Sequence, residues 1–344
     1  MGSLPPAPGP KLAEFKGKRT GETLHIDFIQ YLGSGVHAHV WKVRIDGEIY
    51  ALKMFRFVNN FTPASFFHVK LNQEEEVLHM HPFNCEARAY ARLKEVNQEH
   101  VAVPCHGYIL LDQEQQRILR EKDTTCDWVK DWYYCGSYAG QPIQALVKDF
   151  IEFDNVGYYE NGPGDNLRRI TRAIDSSRTA RTLLDNMAIL HRVGILHKDI
   201  NNSNVAQGRF LDFSTSWIKP HPCLDTRQIE SARDPYNQLG ITDAYAVDQI
   251  IKHWNMLQPP KLRLWFRAAQ DRDYIKRLRS YGKRDKGQKD VMSEYIRKYP
   301  GRPDLYKWDP ENPNAGQRNA PSRRHDRSRN KQARKIKRQD RSKA

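Results

Sequence analysis

Apolar and polar side chains alternate from His25 to Phe57, in HIDFIQYLGSGVHAHVWKVRIDGEIYALKMFRF. That alternation predicts consecutive antiparallel strands with a turn at Asp46-Gly47. Cys105 to Leu111 and Gln144 to Phe150 read as two further strands. The rhythm changes between Cys85 and Leu93 (CEARAYARL), where composition and spacing are helical. A second helix is expected over residues 170–193, from Ile174, Leu183, Leu184, Met187, Ile189 and Leu190, ending at Gly194. Asp243 opens a third apolar helix, DAYAVDQIIKHW. The class expected is α+β, with a strand-rich first part and a mainly helical second part.

The pattern lapses in several places. Residues 1–22, rich in Pro, Gly and Lys, read as a flexible lead-in. Residues 56–84 read as an insertion or short helices, and residues 112–142, polar with Trp and Tyr, as a surface insertion. Ile151 to Asp154 read as a hinge, followed by a Gly-rich loop from Asn161 to Asp165. Two units are expected about that hinge, residues 23–153 and 154–310. Residues 261–310 are expected to be helical, with Leu262, Leu264, Trp265, Phe266, Ile275 and Leu278 on an apolar side that packs onto the second unit. Residues 311–344 hold too few apolar side chains to fold by themselves.

Candidate chemistry gathers in GILHKDINNSNVAQGRFLDFSTSW, residues 194–217. Asp199 lies two positions after His197, Asn204 five after Asp199, and Asp212-Phe213-Ser214 follows a turn at Gly208. Phosphoryl transfer needs one carboxylate at the attacking hydroxyl and an amide oxygen plus a second carboxylate on magnesium. By itself the set also fits two polar surface turns. Gly33-Ser34-Gly35, between two strands and followed by Val40, suits a backbone that closes over phosphates, though a plain β-turn has the same composition. Ala51 and Lys53 stand on a strand of apolar neighbours, where the ammonium of Lys53 needs a phosphate or carboxylate unless it snorkels from an edge. Glu86, in the first turns of the Cys85–Leu93 helix, is the expected partner.

Taken in order, these pieces resemble the protein-kinase-like fold over residues 24–255. The resemblance implies a Gly-rich loop at Gly33 and Gly35, with Ala38 where a third glycine stands, and ATP and Mg2+ as cofactors. It implies catalytic-site roles for Lys53, Glu86 and Asp199, with Gly33, Ser34, Gly35, Val40, Ala51 and Lys53 about the nucleotide. Asn204 and Asp212 become metal ligands, and Asp243 a buried anchor of the catalytic loop. There are departures. Ser214 stands where kinases carry a glycine, Asn201 where they carry a lysine, and no A-P-E-like anchor lies between Asp212 and Asp243. Trp217-Ile-Lys-Pro-His-Pro is there instead, and its prolines favour a stiff extended path. More closely, LGSGVHAHVWKVRIDGEIYALKMF, FNCEARAYARLKE, VPCHGYILL and GRFLDFSTSWIKPHPCL resemble the fungal kinetochore Sim-complex subunit family "Fta-two". That resemblance implies a nuclear protein at centromeric chromatin with kinetochore or other chromatin-associated partners. Two functions stay open: an ATP-dependent phosphotransferase acting on a hydroxyl, and a non-catalytic pseudokinase scaffold.

Composition adds a partner class. The net charge of +15 is uneven: residues 1–260 carry 29 basic against 31 acidic side chains, and residues 317–344 carry 12 against 2. The near-neutral part argues against a protein built mainly to bind nucleic acid. The tail, with Arg334-Lys335-Ile336-Lys337-Arg338, reads as a nuclear-localisation signal, a non-specific phosphate-binding arm or a solubilising segment. Cys85, Cys105, Cys126, Cys135 and Cys223 fall singly, which suits reduced thiols rather than a disulfide framework or a zinc site. No apolar run is long enough to span a bilayer, so no membrane partner is expected.

Overall fold

The computed structural model describes residues 9–17, 24–57, 73–123, 127–133, 138, 140–152, 172–225 and 235–264. The expectations for the 161–165 loop, for all but the first residues of the 261–310 helices and for the 311–344 tail lie outside them.

The alternating stretch forms β1 (Ile26–Ser34), β2 (Ala38–Ile45) and β3 (Glu48–Phe55), paired antiparallel in sequence order. Asp46 and Gly47 both take positive φ, 50° and 84°, the backbone of a two-residue hairpin whose twist matches its strands. Two irregularities bend β1, and at the second Gly33 has φ 139°, a conformation that favours glycine. β4 (Cys105–Leu111) and β5 (Ile143–Asp149) complete a five-stranded antiparallel sheet in the order β1-β2-β3-β5-β4.

Helices cover both faces of the sheet. After α1 (Gln73–Met80), α2 (Pro82–Glu95) begins with Pro82, where a missing N–H costs nothing, and is buried along most of its length. Its arginines are buried because they have acceptors: Arg88 Nη2 donates to the Pro220 carbonyl at 3.0 Å and Arg92 Nη2 to that of Lys219 at 2.9 Å. On the opposite face, Ile26, Phe28, Trp41, Val43, Leu52 and Met54 form a core with Leu119 and Trp132.

Those last two residues correct an expectation. The stretch 112–142, expected as a surface insertion, supplies α3 (Gln113–Lys122) and α4 (Trp128–Trp132), and buries Leu119 and Trp132 completely. Asp112 starts α3 with a reciprocal capping box to Gln115. A second correction concerns the N-terminal lead-in. Leu12 is buried, and Phe15 N donates to the Tyr108 carbonyl at 2.8 Å while Tyr108 N donates to that of Ala13 at 3.2 Å. Residues 13–15 thus add a strand-like segment to the free edge of β4. At Gly107, φ 151°, a Cβ would lie 2.7 Å from the Ala13 carbonyl oxygen, so only glycine admits the segment.

The helix expected over residues 170–193 is shorter: α5 (Ser177–Arg192) starts only after the cap Ser176, while its end, with Val193 as the cap residue and Gly194 at φ 82° just beyond, is where the sequence leads one to expect. Short strands follow: β6 (Ile195–Leu196) pairs with β9 (Trp217–Ile218), and β7 (Val205–Ala206) with β8 (Arg209–Phe210). The path after β9 does not stay extended; it turns through a cis Lys219–Pro220 bond into α6 (Pro222–Asp225). α7 (Pro235–Leu257) contains Asp243 in its interior rather than at its start. No helix among the described residues is long and apolar enough to cross a membrane.

Candidate functional site

Strand parity sets one half of the site. Val40 is opposite Lys53 and Ala51 opposite Lys148, so all four side chains share the sheet face that meets α2. Lys53 and Lys148 are diagonal neighbours there, and Glu86, completely buried on α2, takes one from each side. Lys53 Nζ is 2.5 Å from Glu86 Oε2, and Lys148 Nζ is 2.9 Å from Glu86 Oε1. Two ammonium groups on one carboxylate would leave a positive excess in a dry place. Asp212 balances it, with Oδ1 at 2.8 Å from Lys53 Nζ. Lys148 also donates to the carbonyl of Leu211, the residue before Asp212. Burial raises the Asp212 carboxyl, but Lys53 and the Ser214 N–H, donating at 2.8 Å, outweigh it and hold the group well below the usual carboxylate range.

The β6–β7 loop sets the other half. Asp243 is buried and accepts from His197 N at 2.8 Å, Lys198 N at 2.7 Å and His191 Nε2 at 3.0 Å. The anchoring role that the sequence suggested for Asp243 therefore has its bonds, made from within α7. Lys198 has φ 68°, unusual for a residue with a Cβ, and its N–H bond to Asp243 holds that strained turn. Just beyond, Asp199 is exposed and fixed by two amides: Asn201 Nδ2 donates to its Oδ1 at 2.9 Å and Asn204 Nδ2 to its Oδ2 at 2.8 Å. Asn201, the residue in place of a kinase lysine, is thus a brace for Asp199. The Leu211 N–H donates to the Asn204 carbonyl at 2.8 Å, which ties the Asp199–Asn204 group to the segment carrying Asp212. Phe213 is buried against Tyr90 of α2 and His197, with ring centroids 5.3 and 5.2 Å apart.

Gly33, Ser34 and Gly35 form the end of β1 and the turn into β2. The turn carries His37, whose Nδ1 lies 3.0 Å from Ser214 Oγ. Burial lowers the His37 imidazole below its ordinary value, and Asp212 opposes that shift.

Sequence reasoning singled out Lys53, Glu86, Asp199, Asn204, Asp212 and Asp243, and missed Lys148 and His37. Lys148 stands beside apolar Leu146 and Val147 as Lys53 stands among its neighbours, but Gln144 on the same face blurs the signal until the strand register is known. The contact of His37 with Ser214 spans 177 residues and has no sequence signature.

The residues fit a phosphate-bound magnesium in kind. Such an ion needs one or two carboxylates and takes its remaining oxygens from phosphate and water. Asp212 is a partly exposed carboxylate, and Asn204, whose backbone carbonyl is bonded to the residue before Asp212, carries a side-chain amide oxygen as a second donor of the kind required. No cluster of three or more His, Cys, Asp or Glu side chains suited to a metal occurs among the described residues.

The family model described as the kinetochore Sim4 complex subunit FTA2 matches residues 1–217. The chain belongs to the FTA2 family. The match runs from the N-terminal segment through the sheet, α2, Asp199, Asn204 and Asp212 to Trp217. Membership places this FTA2 protein in the nucleus, at the kinetochore, with kinetochore proteins as partners and chromosome segregation as its process. No curated protein matches the chain.

Proposed function

We propose that this FTA2 protein holds ATP with magnesium in a two-lobed, protein-kinase-like arrangement and presents Asp199 to a substrate hydroxyl. The observation that carries the reading is the Glu86–Lys53–Asp212 chain, which fixes an ammonium and a half-exposed carboxylate 2.8 Å apart beside a glycine turn. Lys53 would take the α- and β-phosphates, and Gly33, Ser34 and Gly35 would cover them with backbone N–H groups. A Cβ at Gly35 would meet nothing within 4 Å, so the fold around it makes no demand for glycine there, whereas a closely approaching phosphate would. Val40 and Ala51, on the same sheet face, would line the base. Asn204 and Asp212 would hold the magnesium, whose contribution when bound is to neutralise phosphate charge. Asp199, braced by Asn201 and Asn204, would orient the hydroxyl or accept its proton. A site of this kind works by positioning and electrostatics, so losing Asp199 or Asp212 should lower a rate by orders of magnitude.

A second reading, a kinase-shaped scaffold for protein contacts at chromatin, is favoured by one observation. Lys53, Lys148, Glu86 and Asp212 sum to zero charge and are mutually satisfied, so the network stands without a ligand. In either reading the basic composition of residues 317–344, 12 basic against 2 acidic side chains, suits a nuclear-localisation signal, a solubilising segment or non-specific contact with nucleic-acid phosphates, and such contact would weaken steeply with salt.

Thermal unfolding of the full chain, with and without ATP and magnesium, separates the two readings. A magnesium-dependent rise of the midpoint that Asp212→Asn abolishes supports the nucleotide site. No shift at millimolar ATP leaves the scaffold.

A further inference from the structure

We propose that His37 and Ser214 act together as positioning residues, a latch that holds the β1–β2 turn down over the Lys53–Asp212 pair and yields when a phosphate-bearing ligand enters. Two elements distant in sequence meet at this one side-chain bond, His37 Nδ1 to Ser214 Oγ at 3.0 Å. Its two ends differ in what else holds them. On the Ser214 side the backbone is fixed, because Ser214 N donates to Asp212 Oδ1 at 2.8 Å and that same oxygen faces Lys53. On the turn side, Ser34, Gly35 and Val36 are exposed, Val36 at 78%. The backbone bonds there run from Gly35 N to the Ala38 carbonyl and from Arg56 N to the His37 carbonyl, both within the β1–β3 sheet. They shape the turn within the sheet, while the side chain of His37 ties it across to the segment carrying Asp212.

The latch also gives a reason for Ser214. Glycine, the kinase residue at this place, has no hydroxyl to offer an imidazole, and alanine has none either. Histidine in the turn and serine after Asp212-Phe213 therefore form one feature. His37 bonds Ser214, and Ser214 N bonds the Asp212 carboxylate that faces Lys53, so the turn is tied to the segment beside Lys53 and its opening would govern access there.

The first test needs no ligand, so it does not depend on the nucleotide reading; only the access claim rests on that reading. Amide hydrogen exchange is followed by mass spectrometry in the full chain over residues 31–40. His37→Ala and Ser214→Ala should each speed exchange of the turn about five- to tenfold, the loss of one neutral hydrogen bond. The double variant should exchange no faster than either single one, and Ser214→Thr, which keeps the hydroxyl, should restore protection. Exchange in β4 and α5 serves as the control for general loosening. Unchanged turn exchange in the single variants, or additive effects in the double one, overturns the latch. In the second arm, stopped-flow tryptophan fluorescence should show ATP with magnesium associating several-fold faster with Ser214→Ala than with the natural chain. Equal association rates overturn the access claim. No binding to any form overturns both that claim and the nucleotide reading, while the exchange result still decides the latch.

Discussion

Lys148 and Lys53 share one carboxylate, yet the proposed site gives them different work, and replacing each by methionine separates the two roles. Lys148 is buried, bonded to Glu86 and to the Leu211 carbonyl, with Nζ 4.9 Å from the centre of the Tyr90 ring. Lys148→Met removes a charge-assisted bond worth about 1.5–3 kcal/mol and takes a donor from the part-buried Leu211 carbonyl, about 1–2 kcal/mol more. The methionine recovers part of this by filling the apolar space beside Tyr90, and no ammonium has to be dehydrated any longer. The expected net loss is about 3 kcal/mol, a fall in urea midpoint of roughly 1.5 M for a slope of ~2 kcal/mol/M. Lys53→Met takes a partner from Glu86 and from Asp212, but Glu86 keeps Lys148, and the Asp212 side chain, 30% exposed, can turn to water. Its expected cost is about 1 kcal/mol. The ligand response should run the other way, with Lys53→Met abolishing the midpoint rise with ATP and magnesium and Lys148→Met retaining it. Urea unfolding followed by tryptophan fluorescence measures the first order, and thermal shift the second. If Lys53→Met proves the more destabilising, or if Lys148→Met stays within about 0.5 kcal/mol of the natural chain, the division of roles is wrong.

Other consequences can be checked separately. Burial pushes His79 and His81 down to about 4, so the unfolded chain, near 6.5, binds more protons than the folded one between these values. Their contribution is complete above pH 6.5 and is lost as the pH falls toward 4; the unfolding midpoint should drop between pH 7 and 5, less so in His79→Phe, and a flat profile would refute the assignment. Asp212 and Asp243, both held below the ordinary carboxylate range, should add a second loss only below about pH 4. Gly35→Ala should leave the midpoint of the free chain unchanged but weaken the response to ATP with magnesium; a changed midpoint would mean that the fold itself needs this glycine. Gly107→Val should cost about 2 kcal/mol and expose residues 12–15 to protease, matching a chain deleted through residue 17.

Much of the sheet and of the site could be read in the sequence because each part leaves a local mark. Strand alternation gives β1 to β5, and an ammonium among apolar neighbours needs a partner, which led from Lys53 to Glu86. The same logic applies to Lys148, but it becomes visible only once the β3–β5 register sets Lys148 opposite Ala51. Leu119 belongs to a helix whose polar residues dominate its composition, and Trp132 to one of five residues, too short to show a helical period, so burial against the sheet is a tertiary fact. The segment at residues 12–15 pairs through backbone atoms, which composition does not report. Asp243 was expected at a helix start, where aspartate is common; its burial beside His191 and His197 is set by how α5 and α7 meet. Kinetochore membership was legible as phrases around these same residues, because the family match covers the region that builds the site.

The N-terminal segment has a consequence for synthesis. Ala13 and Phe15 leave the ribosome more than ninety residues before their partner Tyr108. β4 in turn reaches the sheet only through β5, so nothing is in place to receive the segment until Asp149 has emerged. The segment at residues 13–15 must therefore wait unplaced while five strands assemble, and it closes the sheet last, sealing an edge of β4 that would otherwise offer itself to neighbouring chains.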